Sequence, residues 1–222
     1  MLRNKLRSII CWIWGPLLLA TTLGCGLLSG RSEEVLLPIT EAGVPNGDAV
    51  AKEIGPSGGT FSSADGRLTL TVPQNAVAET TIFIIQPITN KAANGLGNAY
   101  RLGPDRSTFT NPVIVSIRYD DTDLAGTVPE AFLMAFQGPD GAWRAQTLTE
   151  IDQERRTVAF RTTHFTDFSA IARLRLIPST AIVRVGKSQV VQMLACSEQG
   201  FIDRLLSRPA KCEGQLPLAT SG

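Results

Sequence analysis

The chain has 222 residues, of which 43% are apolar and 6% aromatic, with 20 glycines, 13 prolines, four cysteines and one histidine. This length is sufficient for one sizeable domain with a buried core and some additional segments. Twenty-one basic against 20 acidic side chains give a net charge of +1, which excludes a strongly basic nucleic-acid-binding chain. A single histidine excludes most zinc and haem sites, so the composition implies no cofactor.

Residues 1–24 have the pattern of a bacterial export signal. Three basic residues within the first seven positions precede an apolar run from Ile9 to Ala20, which is shorter than the roughly 20 residues of a membrane-spanning helix. The run ends at Leu23-Gly24-Cys25, which resembles the lipobox of bacterial lipoproteins. The resemblance implies that Cys25 is lipidated and becomes the first residue of the mature chain. Thr22 stands where this motif usually has Leu. An ordinary cleaved signal peptide and an uncleaved membrane anchor therefore remain as alternative interpretations of this segment.

Removal of the signal changes the charge and the cysteine count. It takes away 24 residues, three of them basic and none acidic, and leaves 198 residues with 18 basic and 20 acidic side chains, a net charge of −2. With Cys25 lipidated, Cys196 and Cys212 are the remaining cysteines. Because exported proteins fold in an oxidising compartment, we expect these two to form a disulfide. Two unpaired buried thiols are the alternative.

The mature chain then divides into a linker and a series of strands. Residues 25–50 have linker composition and are expected to hold a domain away from a membrane surface. Residues 51–172 carry short β-strand signals at Thr60–Ser63, Arg67–Val72, Thr80–Ile88, Pro112–Tyr119, Ala131–Gln137, Ala142–Leu148, Thr157–Thr162 and Phe165–Ala172. Asp65-Gly66 and Gly138–Gly141 predict two hairpin turns. Since no window has a convincing helical period, the pattern predicts an all-β, antiparallel β-sandwich.

Residues 51–172 also resemble the ZU-five domain, a β-sandwich module of ankyrins, netrin receptors and zonula occludens proteins that occurs in exported bacterial proteins. The resemblance is carried by Glu53-Ile54-Gly55-Pro56-Ser57-Gly58-Gly59-Thr60-Phe61, Leu68–Pro73, Ala76-Val77, Leu102-Gly103-Pro104 and Phe109–Val113, with a bacterial-type extension at Asp140–Trp143 and Thr163–Thr166. It implies a binding and scaffolding module and no particular substrate.

Residues 173–222 are similar to the first strands of a bacterial Ig-like domain. The segments Leu174–Thr180, Ala181–Val185 and Val190–Cys196 carry this similarity. Two strands cannot close a sandwich, because the face they offer has no opposing sheet. We therefore expect a truncated Ig-like module held by Cys196–Cys212, or an irregular tail. The other alternative is that the tail adds strands to the preceding domain.

His164-Phe165-Thr166 is the strongest candidate for chemistry. It is similar to the His-Phe-Ser site at which some eukaryotic relatives of this fold cleave themselves. That similarity implies Thr166 as nucleophile, His164 as base and Phe165–Thr166 as the cleaved bond. The alternative is structural, with Phe165 in the core and His164 hydrogen-bonded at a strand start. A Ser-His-Asp triad with Asp167 and Ser169 is excluded, because side chains along one strand alternate between faces and these two therefore point away from His164.

Asp120, Asp121 and Asp123 could supply oxygen ligands to calcium. The spacing lacks the Gly and the distant Glu of a calcium-binding loop, so a capped turn after a strand is the favoured interpretation.

The sequence as a whole predicts a non-enzymatic lipoprotein of the cell envelope whose β-sandwich acts in binding, scaffolding or adhesion. Self-cleavage is the alternative function. Expected partners are the membrane, through the lipid, and an unidentified protein or envelope polymer, with no nucleic acid. Many lipoproteins retained at the inner membrane have Asp after the lipidated Cys, and this chain has Gly26, so the lipoprotein resemblance implies the outer membrane. A secreted or periplasmic location is the alternative.

Overall fold

The computed structural model describes residues 34–146, 148–195 and 218–219. These residues form two antiparallel sheets of seven and five strands and a small three-stranded sheet, which confirms the predicted all-β sandwich. The strands are β1 (Glu34–Ile39), β2 (Val50–Ile54), β3 (Gly59–Ser62), β4 (Leu68–Val72), β5 (Thr81–Ile88), β6 (Ala99–Gly103), β7 (Thr108–Arg118), β8 (Phe132–Gln137), β9 (Ala142–Gln146), β10 (Glu150–Asp152), β11 (Thr157–His164), β12 (Asp167–Ala172), β13 (Leu174–Ile177), β14 (Val190–Ala195) and β15 (Leu218–Ala219). Within the described ranges, no helix is long and apolar enough to cross a membrane.

The sheet order is β1-β9-β8-β12-β6-β5-β2 in the seven-stranded sheet and β10-β11-β7-β4-β3 in the five-stranded sheet. Both predicted hairpins are present. Strand β3 pairs with β4 around Asp65-Gly66, and β8 pairs with β9 around the Gly138–Gly141 turn. Gly66 and Gly141 have φ of 66° and 77°, a left-handed conformation that favours glycine, which explains why these turn sequences form there.

The core lies between the two sheets and follows from the alternation of apolar residues along each strand. Val113, Val115 and Ile117 of β7 are fully or almost fully buried, as the period of two predicts. At one side of this core, Phe83, Phe109 and Phe165 form an aromatic cluster with ring centroids 4.7–6.0 Å apart. The cluster joins strands of both sheets, so it fixes how the sheets face each other.

The seven-stranded sheet has a second apolar cluster on its outer face. Val35 and Leu37 of β1 are buried there together with Trp143 and Ile171. The segment predicted as a linker is therefore part of the fold from Glu34 onward, and that prediction was wrong for residues 34–50. The physical reason is that alternate apolar residues of β1 cover an indole ring that would otherwise lie in water.

After β1, residues 40–46 cross the outer face of the seven-stranded sheet toward β2, and we call them the crossing segment. The Thr40 backbone N–H donates to Gly141 O (3.0 Å), Val44 N to Thr89 Oγ1 (3.0 Å), and Asn46 N to Pro87 O (2.9 Å). A Cβ at Gly43 would lie 2.3 Å from the Thr89 carbonyl oxygen, so only glycine allows this close approach. The crossing segment is thus held to the sheet along its length.

The chain enters and leaves the seven-stranded sheet at the same end, which we call the entry end. Three register pairs place it: Glu34 with Gln146, Met134 with Gln146, and Phe132 with Ala172. Since neighbouring strands are antiparallel, the opposite end carries the Gly138–Gly141 turn and the start of β12 at Asp167. We call this the pocket end.

The third sheet, of β13, β14 and β15, follows directly from the entry end. The Arg173 backbone N–H donates to Ala131 O and the Leu176 N–H to Gly126 O, both at 2.7 Å. In the part of the chain that the structure describes, the tail forms its own sheet and adds no strand to either sheet of the sandwich. Cys196 and Cys212, for which we predict a disulfide, lie outside the described residues, as does the predicted lipidation site Cys25.

Candidate functional site

A pocket of about 400 Å³ opens at the pocket end of the sandwich. Three connections form its walls: the turn between β6 and β7, the end of β8 with its turn, and the crossing from β11 to β12. Their lining residues are Asp105, Arg106, Phe136, Gln137, Gly138, Pro139, His164, Phe165 and Thr166. The volume lies within the range of small-ligand sites, and rings of Phe, Pro and His make up much of the wall. The candidate His164-Phe165-Thr166 therefore lines a concave site.

His164 is the last residue of β11 and lies half-buried in the pocket wall. Its ring meets Phe136 edge to face, with centroids 4.8 Å apart and an interplanar angle of 78°. Thr162 Oγ1 accepts a hydrogen bond from the His164 backbone N–H (3.2 Å), donates to the His164 carbonyl (2.9 Å), and lies 3.4 Å from Nδ1. The Thr162 hydroxyl and the Phe136 ring thus fix the orientation of the imidazole.

Thr166 is held by both its side chain and its backbone. Its hydroxyl donates to the Gln137 carbonyl oxygen at 2.6 Å, and its own carbonyl accepts from Leu102 N at 3.2 Å. A carbonyl oxygen cannot take up the hydroxyl proton as a general base does, so this arrangement does not activate Thr166 as a nucleophile.

Phe165 links the pocket to the core. Its ring packs on Phe109 and Phe83 with centroids 4.7 and 5.7 Å away, and its backbone N–H donates to Ser107 O at 3.1 Å. Neither Phe165 nor Thr166 has a positive φ, so their bond carries no left-handed backbone strain. The geometry thus agrees better with the structural interpretation of this segment than with self-cleavage.

The reasoning that excluded a Ser-His-Asp triad relied on one shared strand, and that premise was wrong. His164 ends β11 in the five-stranded sheet, whereas Asp167 and Ser169 belong to β12 in the seven-stranded sheet. Asp167 accepts two hydrogen bonds from Arg101, at 2.8 and 2.7 Å, and Ser169 Oγ accepts one from Asn90 at 2.8 Å. These polar groups hold the outer face of the sheet together.

Arg101 also holds the crossing segment. Its Nη2 donates to Gly43 O at 3.1 Å in addition to its pair with Asp167. Hydrogen bonding to Asp167 raises the pKa of Arg101. The guanidinium therefore stays charged while it joins β12 to the crossing segment.

The three candidate calcium ligands form a capped turn. Asp120 Oδ1 accepts from the Thr122 N–H (2.9 Å) and hydroxyl (2.5 Å), and these hydrogen bonds lower the pKa of Asp120 despite some desolvation. Asp123, almost completely buried, pairs with Arg67 and accepts from the Asp120 N–H at 3.0 Å. Asp121 pairs with an arginine of the β10–β11 turn, Arg156, at 2.7 Å.

Two arginines thus pair with the carboxylates of this turn and would compete with a cation for them. Among the described residues, no three His, Cys, Asp or Glu side chains are grouped so that they could hold a metal ion. The carboxylates act here as the turn caps that the sequence favoured.

Sequence reasoning missed the remaining pocket residues. Arg106 has φ of 60° and a side chain that is 90% exposed, and its Nε lies 3.5 Å from Asp105 Oδ2. Phe136 and Pro139 belong to a hairpin recognised only for its turn signal. Because these residues are at least 25 positions from His164 in the sequence, no local motif contains them, and only the folded sheets bring them together.

Neither the protein-family models nor the curated proteins include a match to this chain.

Proposed function

We propose that this chain is a non-enzymatic binding module of the cell envelope, anchored by a lipid on Cys25, that binds its partner through the pocket end. One observation carries the proposal: the pocket lies at the end of the seven-stranded sheet opposite the end where the chain enters. A lipid-linked N-terminus would hold the entry end near the membrane. The pocket would then open away from the lipid, toward partners in the compartment.

The pocket has the chemistry of a binding site for a protein or an envelope polymer. Phe136 and Pro139 offer apolar surface, and Arg106 with Asp105 forms a mostly solvated polar rim. An apolar centre with a polar rim is the usual composition of a recognition site. The ZU-five resemblance supports the same class of function, because that family binds and scaffolds.

A site-specific crosslinking experiment tests the binding function. A photoreactive residue replaces Arg106 at the pocket end or, as a matched control, Arg161, which is exposed on β11 and is 62% solvent accessible. We expect crosslinked products in envelope extracts from position 106 and few from position 161. Equal yields at both positions, or none at either, would contradict pocket-end binding.

The lipid anchor needs a separate measurement. Intact-mass analysis of the protein purified from envelopes should give a mature chain starting at Cys25 with an added diacylglyceryl mass, and Cys25→Ser should abolish that added mass. Density-gradient separation of the membranes should place it with the outer membrane. An unmodified N-terminus would refute the anchor.

Self-cleavage is the second candidate, because His164 and Thr166 line the same pocket. The hydrogen bond from Thr166 to Gln137 O and the aromatic packing of Phe165 support it less well than binding. A denaturing gel decides between them. A single band of full mature length fits the binding module, whereas a fragment that begins at Thr166 and disappears in Thr166→Ala would establish cleavage.

A further inference from the structure

The tail of the chain differs in charge from the sandwich. From Cys25 to Ala172 the sequence has 11 basic and 17 acidic side chains, a net charge of −6, whereas residues 173–222 have seven basic and three acidic, a net charge of +4. The contrast is strongest in residues 173–190, which contain four basic residues and no acidic one. We call residues 173–190 the basic segment. Its charge predicts an anionic partner.

The basic segment also exposes apolar side chains. Ile182 and Val185 are fully exposed, and Val190 is 57% exposed. Arg184 and Lys187 are exposed between them. No carboxylate of the described residues forms an ion pair with either cation. Exposed apolar and cationic side chains within one short segment are typical of sequences that bind the interface of a membrane.

The position of the basic segment agrees with such a partner. It begins at Arg173, whose backbone N–H is bonded to Ala131 O at the entry end of the sandwich. Two carboxylates of the turn after β7, Asp121 and Asp123, are paired with arginines of the sandwich. Within the described residues, these two carboxylates therefore do not neutralise the exposed Arg173, Arg184 and Lys187.

The reach of the proposed anchor places the membrane at this same end. Only nine residues, 25–33, precede β1, so the chain from the lipid to the first strand spans at most about 30 Å. The tether is much shorter than the 25–50 segment that the sequence suggested. Because the chain enters and leaves the seven-stranded sheet at one end, the membrane and the basic segment would meet there.

We propose that the basic segment docks on the anionic lipid headgroups of the membrane and thereby orients the sandwich, with its pocket away from the lipid. The proposal rests on the proposed lipid anchoring for its orientation. The headgroups would pair with Arg173, Arg184 and Lys187, while Ile182 and Val185 enter the interface. The acidic sandwich, by contrast, is repelled from an anionic surface.

Vesicle flotation of the mature chain carrying Cys25→Ser tests the docking without the lipid. We expect the protein to float with phosphatidylglycerol–phosphatidylcholine vesicles at low salt and to remain at the bottom with pure phosphatidylcholine. Each basic residue near an anionic surface contributes about fivefold to partitioning, so Arg184→Gln with Lys187→Gln should weaken it about thirtyfold. Both positions are exposed, so the fold should be retained, which circular dichroism checks.

A double variant of the sandwich, Lys52→Gln with Arg161→Gln, is the matched control, since it removes the same charge from exposed positions within β2 and β11. It should float like the parent. Equal loss in both variants, binding to neutral vesicles as strong as to anionic ones, or no flotation of the parent would overturn the proposal. Size-exclusion chromatography provides a further test. A dimer of the parent that dissociates in the variant Arg184→Gln with Lys187→Gln would also overturn the proposal, because the basic segment would then bind a second copy of the chain. Lack of a lipid on Cys25 in cells would refute the proposed anchor and leave the flotation result unchanged.

Discussion

Replacing Tyr100 with Phe tests how the two sheets are joined. Tyr100 of β6 is fully buried in the seven-stranded sheet, and its hydroxyl donates to Asp65 Oδ2 at 2.8 Å. Asp65 lies in the β3–β4 turn of the other sheet, where its Oδ1 also accepts from Ser63 Oγ (2.5 Å) and the Arg67 N–H (3.0 Å). One phenol therefore connects the core of one sheet to the turn of the other.

The expected loss in the free energy of unfolding is about 1–2 kcal/mol at pH 7. Hydrogen bonds to charged groups contribute about 1.5–3 kcal/mol, and the exposed position of Asp65 lowers the value because water replaces the lost donor. Urea unfolding measures the change. Tyr119→Phe is the matched control, because Tyr119 is also buried and packs on Phe132 at 5.0 Å, but its hydroxyl has no hydrogen bond among the described residues. Equal losses in the two variants would refute the reasoning.

The hydrogen bond between Tyr100 and Asp65 also predicts that the stability of the fold depends on pH. Burial raises the pKa of Asp65, but hydrogen bonds from Ser63, the Arg67 N–H, Tyr100 and Asn98 together lower it, and the net direction is downward. A carboxyl with a lower pKa in the folded state stabilises the fold above its unfolded pKa of about 4, and this contribution is lost as the pH falls through the folded pKa. The stability difference between the parent and Tyr100→Phe should therefore narrow below pH 4. A constant difference from pH 7 to pH 2 would contradict the assignment.

Three further changes test other parts of the structure. Thr40→Val leaves the buried Trp143 indole N–H without its acceptor at 2.9 Å and should lower the free energy of unfolding in urea by about 1–2 kcal/mol. A loss below about 0.5 kcal/mol would argue that this hydrogen bond of the crossing segment does not stabilise the fold. Asp123→Ala removes the partner of Arg67 and should lower the free energy of unfolding by about 2–3 kcal/mol. The parent protein should melt at the same temperature in calcium and in chelator, and a higher melting temperature in calcium would support a metal site at this turn after all. Hydrogen bonds from Arg144 lower the pKa of Asp140 to about 2. The small contribution of the Asp140 carboxylate to the stability of the fold should therefore be complete above pH 4 and vanish toward pH 2. An NMR titration midpoint of Asp140 near 4 would disprove the pairing.

Local patterns were sufficient to predict much of the sandwich. The alternation in β4 and β7 and the turn residues between β3 and β4 and between β8 and β9 carry their information within a few positions. Strand β1 could not be predicted in this way. The buried side chains of β1 pack against Trp143, which lies more than 100 positions later, so the local sequence alone predicts a linker.

The candidate site was predictable only in part. His164-Phe165-Thr166 was found through a motif, but the acceptor of the Thr166 hydroxyl, the Gln137 carbonyl, belongs to another strand. The sequence predicted separate strands at Thr157–Thr162 and Phe165–Ala172, but not that they belong to different sheets. A local reading cannot tell a chain that continues in one sheet from a chain that crosses to the other.

The sequence by itself determined the β-sandwich class, its hairpins and the basic, apolar character of the segment after residue 172, because periodicity, turn chemistry and charge are local properties. Only the tertiary structure decided that residues 34–46 belong to the sandwich, that the aspartates are paired with arginines, and that His164 lines a pocket with Phe136 and Arg106. Those outcomes depend on strand order and on which side chains compete for the same partner. Both are set by the burial of apolar surface across the whole chain.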